Sequence, residues 1–353
     1  MSTSEFSVRE MPHPVPQTKI VEAYGTMKCP CLIDQVTSEN VEVRVNALSA
    51  ICSELKNPET AFGLIDGGLA DHLLNYLSLS NEAENVDSQA VIKKSSQALS
   101  AMARDVLGRN SLLSSSSLEN LAIIFNHENV DVREYGFLIS LHLTSSKKGV
   151  HRLVDLNFPA LIMRKLEEEI SPLKVPLLKI LRSLSGDEKG LEDGLNNGAV
   201  PVLCDLLADS LDDVRKEAAY TLGMLCFSDP AKKEAIELGA VEQLCEIMQD
   251  ESWEVRAAVC HALMTITTTV EGKKAIEPSG GLPHLVHLLH DNHDLVKLNV
   301  LKVIASVSAF PPNRAFFQES DACLMALNSL MDAEDEIIAN QARICNDVVN
   351  WEP

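Results

Sequence analysis

The chain has 353 residues, more than one compact core usually holds, so either two or three domains or one extended repeat array is expected. Apolar residues make up 46% but aromatics only 4%, a balance that favours helix-on-helix packing over sheet. With 51 acidic against 30 basic residues the formal charge is −21, which repels phosphate backbones and anionic lipid and argues against nucleic acid or bare membrane as a partner. A solvated, solubilising surface or a basic protein partner both suit such a charge.

The opening MSTSEFSVREMPHPVPQTK has neither the basic nor the apolar region of a secretory signal, and no later stretch approaches the ~20 apolar residues of a membrane span. These features predict an intracellular protein. Pro12, Pro14 and Pro16 prevent regular helix, so residues 1–19 are expected to be a flexible tail and 20–353 the folded part. From there one apolar position recurs at Val43, Ile92, Val132, Leu173, Val214, Val255, Val296 and Ile337. The step is 41 from Val132 onward, 40 from Ile92 to Val132, and 49 from Val43 to Ile92. The long step matches the polar stretch NEAENVDS, read as a loop insertion at 81–88. The residue after the apolar one is basic five times running, at Arg133, Lys174, Arg215, Arg256 and Lys297.

The same step links Gly198, Gly239 and Gly280, and also Asp209, Asp250, Asp291 and Asp332, all where a helical pattern stops. Gly closes a helix through the left-handed region, and Asp offers an acceptor to free amides at the next helix start. Within a unit, 200–209 places Val200, Leu203, Leu206 and Leu207 on one face, and 214–226 does so with Val214, Ala218, Leu222 and Leu225. A shorter helix over 230–239 begins at Pro230. Three helices in about 40 residues is the armadillo plan rather than the two-helix HEAT plan. The expected fold is all-α: an armadillo-type right-handed superhelical solenoid of eight three-helix repeats ending near Trp351, a curved rod ~80 Å long whose third helices line one concave wall.

No phosphate-cradling Gly-rich loop, nucleophile elbow or HExxH occurs in the chain, so no catalytic residue, cofactor or small-molecule substrate is expected. His284, His287, His290 and His293 are spaced by threes, which drifts around a helix, and sister repeats carry Asp205, Glu246 and Gln249 instead. They are read as surface histidines, and no metal is assigned. Cys29 and Cys31 lack a second pair at zinc spacing, and Cys204 and Cys245 sit where the next repeat has Val286, so those two are read as small core hydrophobes.

The period defines an outward ladder on the third helices. Lys179, Tyr220, His261, Lys302 and Arg343 form one column, and Ser183, Met224, Thr265, Ser306 and Asp347 the next. These columns, Asp347 apart, are the candidate protein-binding residues, with plain solvated helix faces as the alternative reading. Armadillo carriers of nuclear import signals resemble alternating Trp and Asn at such positions; neither residue occurs in either column here.

Beyond the general repeat, IVEAYG (20–25), EGKKAIE (271–277), LVHLLHD (285–291), LNVLKVIASVS (298–308) and a close on ARI (342–344), Trp351 and Pro353 resemble the radial spoke head 14 homologue family, over nearly the whole chain. The resemblance implies a non-enzymatic structural subunit of the axonemal radial spoke in motile cilia and flagella, with other spoke proteins as its partners. It implies a cytoplasmic, cytoskeletal location in the ciliary axoneme. The alternative is a soluble armadillo adaptor, a cochaperone or transport-type client binder; the missing Trp and Asn ladder weighs against transport.

Overall fold

A computed structural model gives the fold of residues 25–78 and 86–352, which contain helices and their connections and no strand. The expected tail over 1–19 lies outside these described residues. So do residues 81–85 of the stretch read as an insertion, whereas Val86, Asp87 and Ser88 begin a helix. The chain forms two compact units, the first ending at Leu143 and the second beginning at Thr144.

The first unit holds α1 (Lys28–Val36), α2 (Val41–Glu54), α3 (Pro58–Asp66), α4 (Leu69–Leu77), α5 (Val86–Ala103), α6 (Val106–Ser114), a 3-10 helix (Ser116–Asn126) and α7 (Val130–Leu143). Its helix starts are written in the sequence. The Asn40 side chain accepts from the amides of Glu42 and Val43, Asn57 caps α3 just before Pro58, and Asp105 caps α6 through the Leu107 amide. The third helices α2, α5 and α7 stack in sequence and bury Val43, Ile92 and Val132. The piece between α6 and α7 winds as a 3-10 helix because its buried Leu118, Leu121 and Ile124 recur every three residues, the 3-10 period, where an α-helix would carry them off the core.

The second unit is five triplets. They are α8 (Lys147–Asp155), α9 (Phe158–Glu168), α10 (Ser171–Leu184); α11 (Glu188–Asn196), α12 (Ala199–Leu206), α13 (Asp212–Leu225); α14 (Asp229–Glu237), α15 (Ala240–Ile247), α16 (Trp253–Ile266); α17 (Val270–Ile276), α18 (Gly281–Leu288), α19 (Asp294–Val307); and α20 (Pro311–Glu319), α21 (Asp321–Met331), α22 (Glu336–Val349). The third helices α10, α13, α16, α19 and α22 pack each on the next. Their core repeats in register: Val214, Val255 and Val296 are fully buried, as are Leu222, Leu263 and Ile304, and Leu225, Ile266 and Val307. Each such side chain contributes ~1.5–3 kcal/mol by leaving water, and none could be buried by its own repeat alone. Cys204 and Cys245 lie in this core, as Val286 does in the next repeat, and burial pushes their thiols up to about 11 and about 12.

The glycine column does what its spacing implies. Gly198, Gly239 and Gly280 have φ of 77°, 75° and 69°, the left-handed turn that joins the first helix of a triplet to the second. Asn157, 41 residues before Gly198, takes the same role at φ 61°; Asn is the side chain that best tolerates this region. Asp209, Asp250 and Asp291 accept from the amides of Leu211, Ser252 and His293, as expected of helix-start acceptors. Two of them do more. The Arg215 guanidinium holds Asp250 through two nitrogens at 2.8 and 3.1 Å, and its third contact reaches the Asp209 carbonyl. Arg256 repeats the arrangement with Asp291 and the Asp250 carbonyl. At Arg215 and Arg256 the basic residue after the apolar position is therefore a bridge between successive repeats, whereas Lys297 pairs with Asp294 of its own helix.

The last repeat departs from the step of 41. Ile337 is 66% exposed and Ile338, at 3%, takes the core position, so the step from Val296 is 42. The cap moves with it: Asp335, not Asp332, accepts from the amides that open α22. Asp332 instead closes α21. This triplet also joins α20 to α21 through Ser320, an extended residue that caps α21, in place of a left-handed glycine.

Candidate protein-binding wall

The exposed sides of α10, α13, α16 and α19 carry the predicted first column in register. Lys179, Tyr220, His261 and Lys302 are each half-buried, and His261 Nδ1 is buried without a hydrogen-bond partner. Glu217, only 5% exposed, is the anchor of this row. Its carboxylate takes the Arg182 guanidinium at 2.7 Å and Lys179 Nζ at 3.6 Å, so α13 is tied back to α10. Arg182 also lies over the Tyr220 ring, 5.7 Å from its centroid, and the opposite neighbour of that ring is His261 at 5.5 Å. A cation, an aromatic ring and an imidazole thus follow one another across three repeats.

Burial, then the positive charges of Lys302 and Arg182, hold the His261 imidazole below its ordinary value, so it is neutral at pH 7. Burial raises the Tyr220 hydroxyl, and the Glu217 carboxylate adds to the effect. The row therefore offers hydrogen-bond donors, the Lys302 amine, which has no ion pair among the described residues, and flat ring surface.

The second column is less open than the period implies. Ser183 and Met224 are half-buried, with the Ser183 hydroxyl turned back on the Lys179 carbonyl. Ser306 is also half-buried, its hydroxyl bonded to the carbonyl of Thr267. Thr265 is 3% exposed and donates to the Ala262 carbonyl, so it belongs to the core, and the half-buried Met264 stands beside it on the open side. Arg343 leaves the first column because of the 42-residue step. It is exposed, donates to the Met331 carbonyl, and occupies the position equivalent to the buried Leu178, Ala219, Cys260 and Leu301. The column residue of α22 is Ile344, also exposed.

Arg182, Glu217, Gly223 and Asn299 are the residues that period reasoning passed over. Arg182 sits three residues beyond Lys179, and its sister at the step of 41 is Gly223, a contrast visible in the sequence. Asn299, buried where the sister residue is Ala258, donates to the Ala257 carbonyl of the preceding third helix. Arg182 was the available signal, a charge where its sisters are Gly223, Met264 and Ala305; Glu217 and Asn299 share one period position with Pro176 and Ala258.

The four histidines go to different surroundings. His284 meets Gln249 at 3.1 Å; His287 and His290 border a hollow of about 370 Å³ beside Arg256 and Asp291. His293 stacks on Trp253 with centroids 4.7 Å apart and bonds Asp291 at 3.1 Å.

Residues 200–305 match the HEAT repeats family. An engineered protein of known crystal structure is 19% identical, superposes with a TM-score of 0.73, and covers 92% of this chain and 89% of its own. A designed armadillo repeat protein in complex with the peptide (KR)4 is 20% identical with a TM-score of 0.61, over 67% of this chain and 100% of its own. A further designed armadillo repeat protein gives 19% identity and 0.61 over 66% and 100%. These likenesses are of fold: the chain is an armadillo/HEAT-type repeat solenoid.

Proposed function

We propose that this chain is a non-enzymatic, protein-binding subunit of the axonemal radial spoke in motile cilia and flagella, located in the axoneme and gripping other spoke proteins. The observation that carries the binding role is the in-register row of Lys179, Tyr220, His261 and Lys302 on successive third helices, each half-buried. Such a row gives a partner pre-ordered side chains, which lowers the entropy lost on association. The axonemal assignment is supported by the sequence strings shared with the radial spoke head 14 homologue family, and the coarse repeat fold is consistent with it.

The test is retention in ciliated cells. A tagged wild-type chain is expected to stay with salt-washed axonemes, and a Lys179→Gln/Lys302→Glu variant with an unchanged melting temperature is expected to be reduced there. Recovery of the wild type in the soluble fraction overturns the axonemal reading in favour of a soluble adaptor; equal retention of both chains removes the wall from the contact.

A further inference from the structure

The first unit carries a groove of about 640 Å³ between the C-terminal ends of α2 and α5 and the middle of α7. Lys56 and Arg104 stand at its rim, Ser100, Gln97 and Tyr135 line it, and Leu55 forms part of its apolar floor. Neither Lys56 nor Arg104 makes an ion pair among the described residues, and the Ser100 and Tyr135 hydroxyls have no hydrogen-bond partner among them. Unspent cations beside idle donors, in a chain of charge −21, call for an acceptor from outside.

The ordinary structural account of a cation just past a helix end is neutralisation of the last carbonyls. At α5 that work is already done: Arg109 donates to the carbonyls of both Ala103 and Arg104, leaving the Arg104 guanidinium free of it. The single carboxylate in the lining, Asp105, is committed to capping α6 through the Leu107 amide at 2.8 Å. The lining is therefore rich in donors, and the Asp131 carboxylate that acts on Tyr135 from outside it is itself paired with Lys93.

We propose that this groove, with Lys56 and Arg104 flanking Tyr135 above Leu55, binds an acidic peptide segment of a partner protein. Its Asp or Glu carboxylates meet the two cations and the Tyr135 hydroxyl, and an aliphatic residue rests on Leu55. A compact phosphate is the poorer fit, because it has no apolar part to rest on Leu55. The one helix N-terminus nearby, that of α6, is closed by Asp105. This site uses residues separate from the α10–α19 row, and it stands or falls independently of the axonemal reading.

The test is fluorescence anisotropy of the full chain with a labelled peptide of alternating Glu and Leu, against the same peptide with Lys for Glu. Wild type is expected to bind the acidic peptide only, more weakly as salt rises. Lys56→Glu/Arg104→Glu is expected to weaken binding by about tenfold or more, while Lys148→Glu, an exposed position in the second unit outside the third-helix row, leaves it unchanged. If the double reversal shifts the melting transition, Lys56→Gln/Arg104→Gln and Tyr135→Phe replace it, each expected to lose binding several-fold. Absence of wild-type binding, equal binding of the Lys peptide, undiminished binding by the folded variants, or displacement by inorganic phosphate at low millimolar concentration overturns the proposal.

Discussion

Gly223 has no room for a side chain. A Cβ there would lie 2.8 Å from His261 Nδ1 and 3.1 Å from the Ala262 backbone, so the close approach of α13 and α16 depends on its absence. Gly223→Ala is expected to cost ~1–3 kcal/mol in a denaturant melt despite the better helix propensity of Ala. Neighbouring Glu217 sets a limit on charge changes in the same row. Reversing Lys179 would put a carboxylate against one that is 5% exposed, which is why Lys179→Gln is the informative substitution. Asp291 gives a pH prediction. Burial alone would raise its carboxyl, but hydrogen bonds from the His293 amide, the Arg256 guanidinium and the His293 ring outweigh this and hold it below the ordinary value. A depressed carboxyl contributes stability above its unfolded value of ~3.9 and loses it as pH falls through the folded one. The melting temperature should therefore drop below about pH 4, and the drop should be smaller in Asp291→Asn, whose melting temperature at pH 7 should be lower.

Helices in this chain are decided by short-range chemistry at their ends and by the stack along their length. Leu222 is fully buried in α13, so Leu222→Ala is expected to cost ~2–5 kcal/mol, well above His261→Ala, whose ring is half-buried. Equal losses in thermal melts would contradict the phase of the third helix. Gly239→Ala should cost ~1–2 kcal/mol because φ is 75° there, whereas Asn157→Gly should be near neutral. Most of this was legible. The apolar step of 41, the glycine turns and the aspartate acceptors follow directly from residue identity at fixed offsets. Asn157 was equally in register but does not look like its glycine sisters. The extra residue in the last repeat escaped notice because Ile337 and Ile338 are adjacent and both apolar, so either satisfies the pattern. Only packing against α21 and α19 selects Ile338, and Arg343 leaves the binding row as a consequence.

At the scale of the molecule, the repeat predicts far-ultraviolet circular dichroism with helix far above the ~30–35% of an average globular protein and little strand signal. A strand-rich spectrum would contradict the fold itself. The sequence by itself determined the class of fold, the repeat unit, the helix ends and the buried columns, because each of these depends on residue type at a fixed spacing and is repeated often enough to be read. Tertiary structure decided the rest. It put Thr265 into the core, joined Arg182 and Lys179 to Glu217, set Arg109 rather than Arg104 on the end of α5, and divided the four histidines among separate neighbours. The Glu217, His284 and His293 contacts depend on which side chains from residues about 35 to 40 apart arrive within a few ångströms, and a rotation of one helix by a fraction of a turn changes them while leaving the periodic pattern intact.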